Sequence, residues 1–433
     1  MSVSAAPTTH TSQRPAGAGF GQFVARSHGS GQLVVQPRMG MSDPRRMRAG
    51  LLATKHAAAT TVGTITVDSY TRVGDHAAAS QALADGSDLN GYPIVSQDAG
   101  ITRGVLDRVA AGDFPVQVRH GAARAQRIVA ALVAAGLDAT EGGPVSYCLP
   151  YSRTHLRDSV LCWRQCCELL MAPRADRAQP HLETFGGCLL GQLCPPSLLI
   201  AVSVLEGLFF RQQGLRSISL SYAQQTNSAQ DAEAILALRR IAARLLPDVE
   251  WHIVLYTYMG MYPATRRGAL LLLRESARLA VRTGAARLVV KTAAEAHRIP
   301  TIAENVAALE TAAAAAAAAA RSGAEVADTG IHAEACALVE AVLDLDPDVG
   351  RALVRAFSLG YLDVPYCLHP DNQGRSRSYL DEHGRLCWSE VGSMPIRGIS
   401  APRGAARMTS ADLLMSLSYV QRTFDKKGKS WRA

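Results

Sequence analysis

Residues 251–291 read WHIVLYTYMGMYPATRRGALLLLRESARLAVRTGAARLVVK. Trp251–Tyr256 is a short, almost continuous apolar run, the pattern of a strand buried on both faces. Arg266–Thr283 is rich in Leu and Ala and long enough for a helix. Arg287–Val290 is a second apolar run. Strand, helix and strand in succession make a βαβ unit, which calls for parallel pairing.

The same alternation extends towards the N-terminus. Further β-rich runs are Leu33–Pro37, Thr61–Val67, Pro115–Val118, Val145–Leu149 and Ser217–Tyr222, with weaker ones at Tyr92–Val95, Leu137–Thr140 and Leu182–Phe185. Helical stretches at Val105–Ala111, Ala122–Ala135, Ser197–Gln213 and Ala229–Leu246 lie between them. Roughly eight such alternations favour an α/β chain folded as a (β/α)8 TIM barrel over an open doubly wound sheet. No GxGxxG follows the first strand, which weighs against a dinucleotide-binding fold. The expected organisation is a flexible N-terminal arm over 1–30, a barrel with accessory helices over 31–359, and a small C-terminal cap over 360–433. Pro365, Pro370, Gly374, Gly384 and Pro395 punctuate that last part. The alanine tract Ala312–Ala320 predicts a helix ending at Arg321–Gly323, with the glycine as its cap.

Composition narrows the function classes. Hydrophobic residues make up 48% of 433, enough for one large core. No apolar run approaches the roughly 20 residues that span a bilayer, and the first 30 residues lack the pattern of a signal peptide. A cytoplasmic protein is expected. The net charge of +8 comes without a basic run interleaved with aromatics, so a nucleic-acid partner is not expected. Lys426, Lys427, Lys429 and Arg432 read as a frayed, solvated tail. Nine cysteines without a secretory signal argue for thiols rather than disulfides. Cys162, Cys166 and Cys167 have no second ligand pair at metal spacing, so no metal site is expected.

In a barrel the chemistry sits where strands end. Arg38, Arg72 and Arg119 each follow a separate apolar run. Paired with nearby Asp or Glu, any one of them is ordinary. Three at the ends of three strands favour a shared anion with more than one carboxylate or phosphate, held by guanidinium forks. Glu141 is followed by Gly142 and Gly143, which suggests a carboxylate where backbone approaches a ligand. It could bind an ammonium or accept a proton. Tyr147 and Tyr151 flank Pro150 as hydrogen-bond donors or as half-buried tyrosines. Lys291 and Glu295 have the spacing of a helical ion pair, or contact a ribose or phosphate.

The strings QPRMG, TVDSYTR, LNGYP, QVRHG, TEGGPVSYCLPY, YMGMYP and VKTAAEAHRIPT, in this order, resemble the motifs of the glutamate mutase (methylaspartate mutase) large subunit, from about residue 30 to about residue 400. The resemblance implies a barrel holding glutamate and the adenosyl group of adenosylcobalamin. It implies that Arg38, Arg72, Arg119 and His120 bind substrate carboxylates, and that Glu141, Tyr147 and Tyr151 contact substrate. Glu141 and Arg72 would be the catalytic pair. Gly40, Asn90, Pro150, Tyr262, Lys291, Glu295 and Ile299 would contact the cofactor, and Thr66 and Met259 would line the same space. The implied reaction interconverts L-glutamate and (2S,3S)-3-methylaspartate through a radical initiated by Co–C homolysis. The DxHxxG signature of a cobalamin-binding unit is absent; Asp381, Glu382, His383 and Gly384 have the wrong spacing. A small cobalamin-binding subunit is therefore an expected partner, within a heterotetramer of two large and two small chains. A cobalamin-independent barrel lyase or aldolase acting on a dicarboxylate, or a non-catalytic binding paralogue, are the alternatives.

Overall fold

The computed structural model describes residues 19–110, 113–173, 178–186, 193–320, 326–400 and 408–430. Eight parallel strands form a barrel: β1 Val34–Gln36, β2 Gly63–Thr66, β3 Val116–Arg119, β4 Ala139–Glu141, β5 His181–Glu183, β6 Ser217–Ala223, β7 Glu250–Tyr256 and β8 Arg287–Val289. Neighbours run in the order β1-β8-β7-β6-β5-β4-β3-β2. A single parallel bridge, Val35 to Thr61, joins β1 to the residues leading into β2 and nearly closes the ring.

Residues 251–291 fold as their pattern indicates. The helix Arg266–Thr283 is bounded by identifiable caps. The Thr265 side chain accepts the Gly268 N–H, and Gly284 takes the left-handed conformation that ends the helix. Two other readings change. Val145–Leu149 is a turn, and β4 and β5 come instead from the weaker runs Leu137–Thr140 and Leu182–Phe185. Tyr92 makes one bridge to Val67 and no strand. An apolar run is buried either way, and periodicity cannot separate a buried strand from a buried turn.

Strand residues alternate between two environments. Ile65, Val118, Leu182, Ile218, Leu220 and Leu288 are buried in the main apolar cluster, which also includes the surrounding helices. The helix Pro196–Gln212 is buried along nearly its whole length, packed against β6 and the helices Ser228–Leu245, Ile331–Leu343 and Val349–Leu359. The alternate residues form a polar interior. Gln36 Nε2 donates to Thr64 Oγ1 at 2.9 Å and to Gln117 Oε1 at 2.8 Å. Arg287 bonds Gln36 and Glu183, and Ser217 and Ser219 hydrogen-bond the two ring nitrogens of His181. Burial and the Arg287 charge push His181 and His252 well below the ordinary histidine range.

The expectation of a flexible arm does not hold for Phe20–Gly29, which is a helix. Phe20 stacks on His181 with ring centroids 5.0 Å apart, and the Arg287 guanidinium lies 5.0 Å from its ring centre. With Val24, Val34, Val62, Ala139 and Ala286 it forms a small apolar plug under the polar interior. Residues 1–18 of the expected arm lie outside the described residues. The charged tail is likewise helical over Tyr419–Ser430 and packs on Arg266–Thr283. Asp425 accepts the Thr265 N–H at 2.9 Å and the Thr265 hydroxyl at 2.6 Å, which anchors it. Arg432 lies outside the described residues. The alanine-rich helix ends at Ala317 with Ala318 as its cap, so glycine does not end it, and Gly323 is outside the described residues. A hairpin, Ser376–Leu380 with Leu386–Val391, belongs to the segment read as a C-terminal cap.

Candidate active site

The strands deliver Arg119 and Glu141 to adjacent positions, because β3 and β4 are paired neighbours that end at these residues. Arg119 Nη2 lies 2.8 Å from Glu141 Oε2, and the side chains are 5% and 3% exposed. The other carboxylate oxygen accepts the Tyr147 hydroxyl. Tyr256, at the end of β7, donates to Glu183 and also lies 3.2 Å from Glu141 Oε2. Burial raises the Glu141 carboxyl above its ordinary range; Arg119 opposes that rise and Glu183 adds to it.

His120 is buried next to this pair. Its Nδ1 accepts the Ala122 N–H at 3.0 Å, so the neutral ring carries its proton on Nε2. Burial pushes its pKa down to about 3, with the Arg72 and Arg119 charges acting in the same direction. The ring stacks with Trp163 and meets Tyr147 edge-on. Tyr147 in turn meets Tyr151 edge-on at 5.5 Å. Arg119, His120, Glu141, Tyr147 and Tyr151 thus form one contiguous unit.

The double glycine has a packing explanation. Gly142 has φ +132°, and a Cβ there would run into Trp163 and Tyr147. A Cβ on Gly143 would meet the Glu206 carboxylate. Glu206, buried in the helix Pro196–Gln212, accepts the Val145 and Ser146 N–H groups and the Ser146 hydroxyl, each at 2.9 Å. The glycines therefore let the chain pass between Trp163 and Glu206, which orients the turn bearing Tyr147, Pro150 and Tyr151. Burial raises the Glu206 pKa to about 7.

The remaining expected residues fall into smaller groups. Arg38 pairs with Glu295. Glu295 also caps the turn Ala293–Ala296 by accepting the Thr292 N–H at 3.0 Å. Lys291 and Glu295, whose spacing would suit a helical ion pair, are joined by a 3-10 turn rather than an α-helix, and Lys291 Nζ sits 4.3 Å from the Tyr262 ring centre. Arg72 lies on the short helix Ser69–Val73, whose first N–H is held by Asn90 Oδ1 at 2.9 Å. Gly40 packs on the Thr66 carbonyl, where a Cβ has no room. Met259 packs against the main core, and Ile299 is 62% exposed. Pro150 and Tyr151 line a cavity of about 830 Å³ that they share with Val364–His369, Leu413 and Leu417.

Among the described residues, Thr66 Oγ1, Asp68 Oδ2, Arg72 Nε, His120 Nε2 and Tyr262 OH are buried without a hydrogen-bond partner. Buried polar atoms are ordinarily satisfied, so such a set on one barrel rim marks a place for a polar ligand.

A sequence model of the family described as Methylaspartate mutase E chain (MutE) matches residues 15–405. The chain belongs to that family. It is 33% identical over 347 residues to the glutamate mutase epsilon subunit of Halobacterium salinarum, covering 76% of this chain and 71% of that protein. The glutamate mutase epsilon subunit of Haloarcula marismortui is 30% identical over 378 residues, covering 84% and 77%. That of Treponema denticola is 29% identical over 383 residues, covering 82% and 78%.

Sequence reasoning did not find Gln36, Gln117, Glu183, Tyr256, Arg287 or Glu206. A signal existed for some of them. Gln36 in VVQ, Gln117 in VQV, and Ser217, Ser219 and Ser221 in SISLS place polar residues at alternate strand positions, which is the inner face of a barrel.

Proposed function

We propose that this chain is the large catalytic subunit of an adenosylcobalamin-dependent glutamate mutase, an isomerase that interconverts L-glutamate and (2S,3S)-3-methylaspartate. The observation that carries the proposal is the buried Arg119–Glu141 pair with Tyr147 at the barrel rim. A guanidinium beside a carboxylate is complementary to the α-carboxylate and α-ammonium of an amino acid. Arg38 and Arg72, from the segments that follow β1 and β2, supply forks for the second carboxylate of a dicarboxylic amino acid. His120, kept neutral, donates from Nε2 without adding charge. Tyr151 closes the side of the site facing the cavity.

The unsatisfied Thr66 and Tyr262 hydroxyls and the Lys291 ammonium fit an adenosyl group, whose ribose and ring nitrogens need hydrogen-bond partners. Tyr262, Lys291 and Glu295 would hold it, flanked by Gly40, Asn90, Pro150 and Ile299. When bound, adenosylcobalamin supplies the organic radical that removes a hydrogen from the substrate. This chain's own task is to keep both carboxylates tethered while the carbon skeleton rearranges, so that reactive fragments meet neither water nor the wrong geometry. With DxHxxG absent, a small partner subunit would carry most of the cobalamin, in a two-plus-two assembly working in the cytoplasm. Among the described residues no helix is long and apolar enough to cross a membrane. Residues 360–433 would act as a cap beside the mouth.

The test is to mix the chain with a small cobalamin-binding subunit and adenosylcobalamin and to assay 3-methylaspartate from glutamate. Product dependent on all three components supports the reading. A folded chain that yields none with any such partner ends it.

A further inference from the structure

Beneath Glu141 the barrel holds a second carboxylate, Glu183, which is completely buried. Arg287 pairs with it. Gln117 Nε2 and Ser219 Oγ donate to its Oε2, each at 3.2 Å. Tyr256 bridges the two acids: its hydroxyl donates to Glu183 Oε1 and lies 3.2 Å from Glu141 Oε2. A phenol has one proton and can donate to one carboxylate at a time. While that proton points at Glu183, Glu141 Oε2 faces a lone pair, an arrangement favourable only if Glu141 carries a proton. When Glu141 is ionised, the hydroxyl is better turned towards it, since a charge-assisted bond is stronger than a neutral one.

We propose that Tyr256 and Glu183 are positioning residues which, through the orientation of one phenolic proton, set whether Glu141 is a carboxylic acid or a carboxylate. The proposal rests on the reading of Glu141 as a substrate-binding group and adds a regulator to it. No proton is transferred along the path; the Tyr256 O–H rotates, and the proton of Glu141 is exchanged with substrate or solvent at the mouth. The groups facing Glu141 are Arg119 from β3, Tyr147 from the following turn, Tyr256 from β7 and Glu183 from β5, with Arg287 from β8 behind Glu183. Arg119 favours the carboxylate. Glu183 favours the acid. Tyr256 can serve either, which makes it the adjustable member.

Two variants move Glu141 in opposite directions. Tyr256→Phe keeps the ring that packs on Phe185 and lies beneath the Arg119 guanidinium but removes the donor available to ionised Glu141. Its titration midpoint should rise by about one pH unit. Glu183→Gln removes the like charge and frees Tyr256 for Glu141, so the midpoint should fall by about as much. Because Glu183→Gln leaves Arg287 unpaired, Glu183→Gln with Arg287→Met serves where the single variant is unfolded. The readout is infrared difference titration of the full chain, with the Glu141 carboxyl band assigned by its loss in Glu141→Gln. This needs no turnover, so it decides the proposal even if the mutase assay fails. In an active complex, the pH profile of kcat/KM should shift in the same two directions. Opposite shifts support the proposal. Unchanged midpoints in folded variants, or shifts of the same sign, overturn it.

Discussion

Arg119 Nη2 and Glu141 Oε2 are 2.8 Å apart at the ends of adjacent parallel strands, in a site from which almost all solvent is excluded. Removing either side chain leaves the other buried without its partner. Glu141→Ala should destabilise the fold by about 3–5 kcal/mol, because it leaves a buried guanidinium uncompensated. Adding Arg119→Met should recover part of that loss. Urea unfolding of the two single variants and the double variant measures the coupling; simple additivity would show that the pair contributes nothing jointly.

Arg72 differs from Arg119 in having no protein carboxylate paired with it among the described residues, and its Nε is buried without a partner. Arg72→Lys should therefore lower kcat/KM about a hundredfold or more, since lysine lacks the planar fork. It should move the melting temperature by only about 1–2 °C. Comparable losses in both measurements would make the residue structural.

Gly142 is required by conformation and space together. Gly142→Ala places a Cβ at φ +132° and against Trp163. The expected cost is about 2–4 kcal/mol. Circular dichroism melts of this variant and of Gly74→Ala, where φ is +83° but nothing lies within 4 Å, separate strain from collision. Equal destabilisation at the two positions would show that the collision is unimportant.

Burial holds the Glu206 pKa at about 7 and that of Asp231 at about 7, against 4.5 and 3.8 for the ordinary groups. Between those limits the folded chain retains protons that the unfolded chain has released. Stability should thus be fully present below the unfolded values and fall as pH rises towards 7. Each group contributes up to about 3–4 kcal/mol of that fall. Glu206→Gln should flatten the decline in part, and adding Asp231→Asn should flatten it further. Urea midpoints at pH 5 and pH 7.5 test this; an unchanged slope in the double variant would exclude both carboxyls as the source.

His120, with its pKa pushed down to about 3, should stay neutral through any working pH. Its ring resonances, identified by comparison with His120→Asn, should not move between about pH 5 and 8. A midpoint inside that window would mean the site is wetter than its packing implies.

Much of the architecture was legible because burial leaves a simple trace in a chain. The βαβ unit at 251–291 declared itself through apolar runs, and in the structure Thr265 and Gly284 bound its helix where the pattern stops. Of the three arginines only Arg119 ends a strand; Arg38 lies just beyond β1 and Arg72 on the short helix that follows β2. What each arginine faces was not. Glu295 lies 257 positions from Arg38 in sequence, and no local pattern links them. The Lys291–Glu295 spacing is equally uninformative by itself, because i, i+4 implies an α-helix and the chain makes a 3-10 turn there.

The glycines after Glu141 show the same division. Two adjacent glycines suggest backbone brought close to a ligand, whereas the groups that crowd them in the fold are Trp163, Tyr147 and Glu206. Likewise the plug helix Phe20–Gly29 lies in a stretch of small and polar residues whose apolar content only makes sense opposite His181 and Arg287. The sequence by itself determined a parallel barrel and the family motifs in order, since these depend on periodicity and residue type along the chain. Only the tertiary structure decided that Glu141 and Glu183 share Tyr256, and which charges meet. Those facts depend on strand register and closure, where residues far apart in sequence are brought within hydrogen-bonding distance and water is removed from between them.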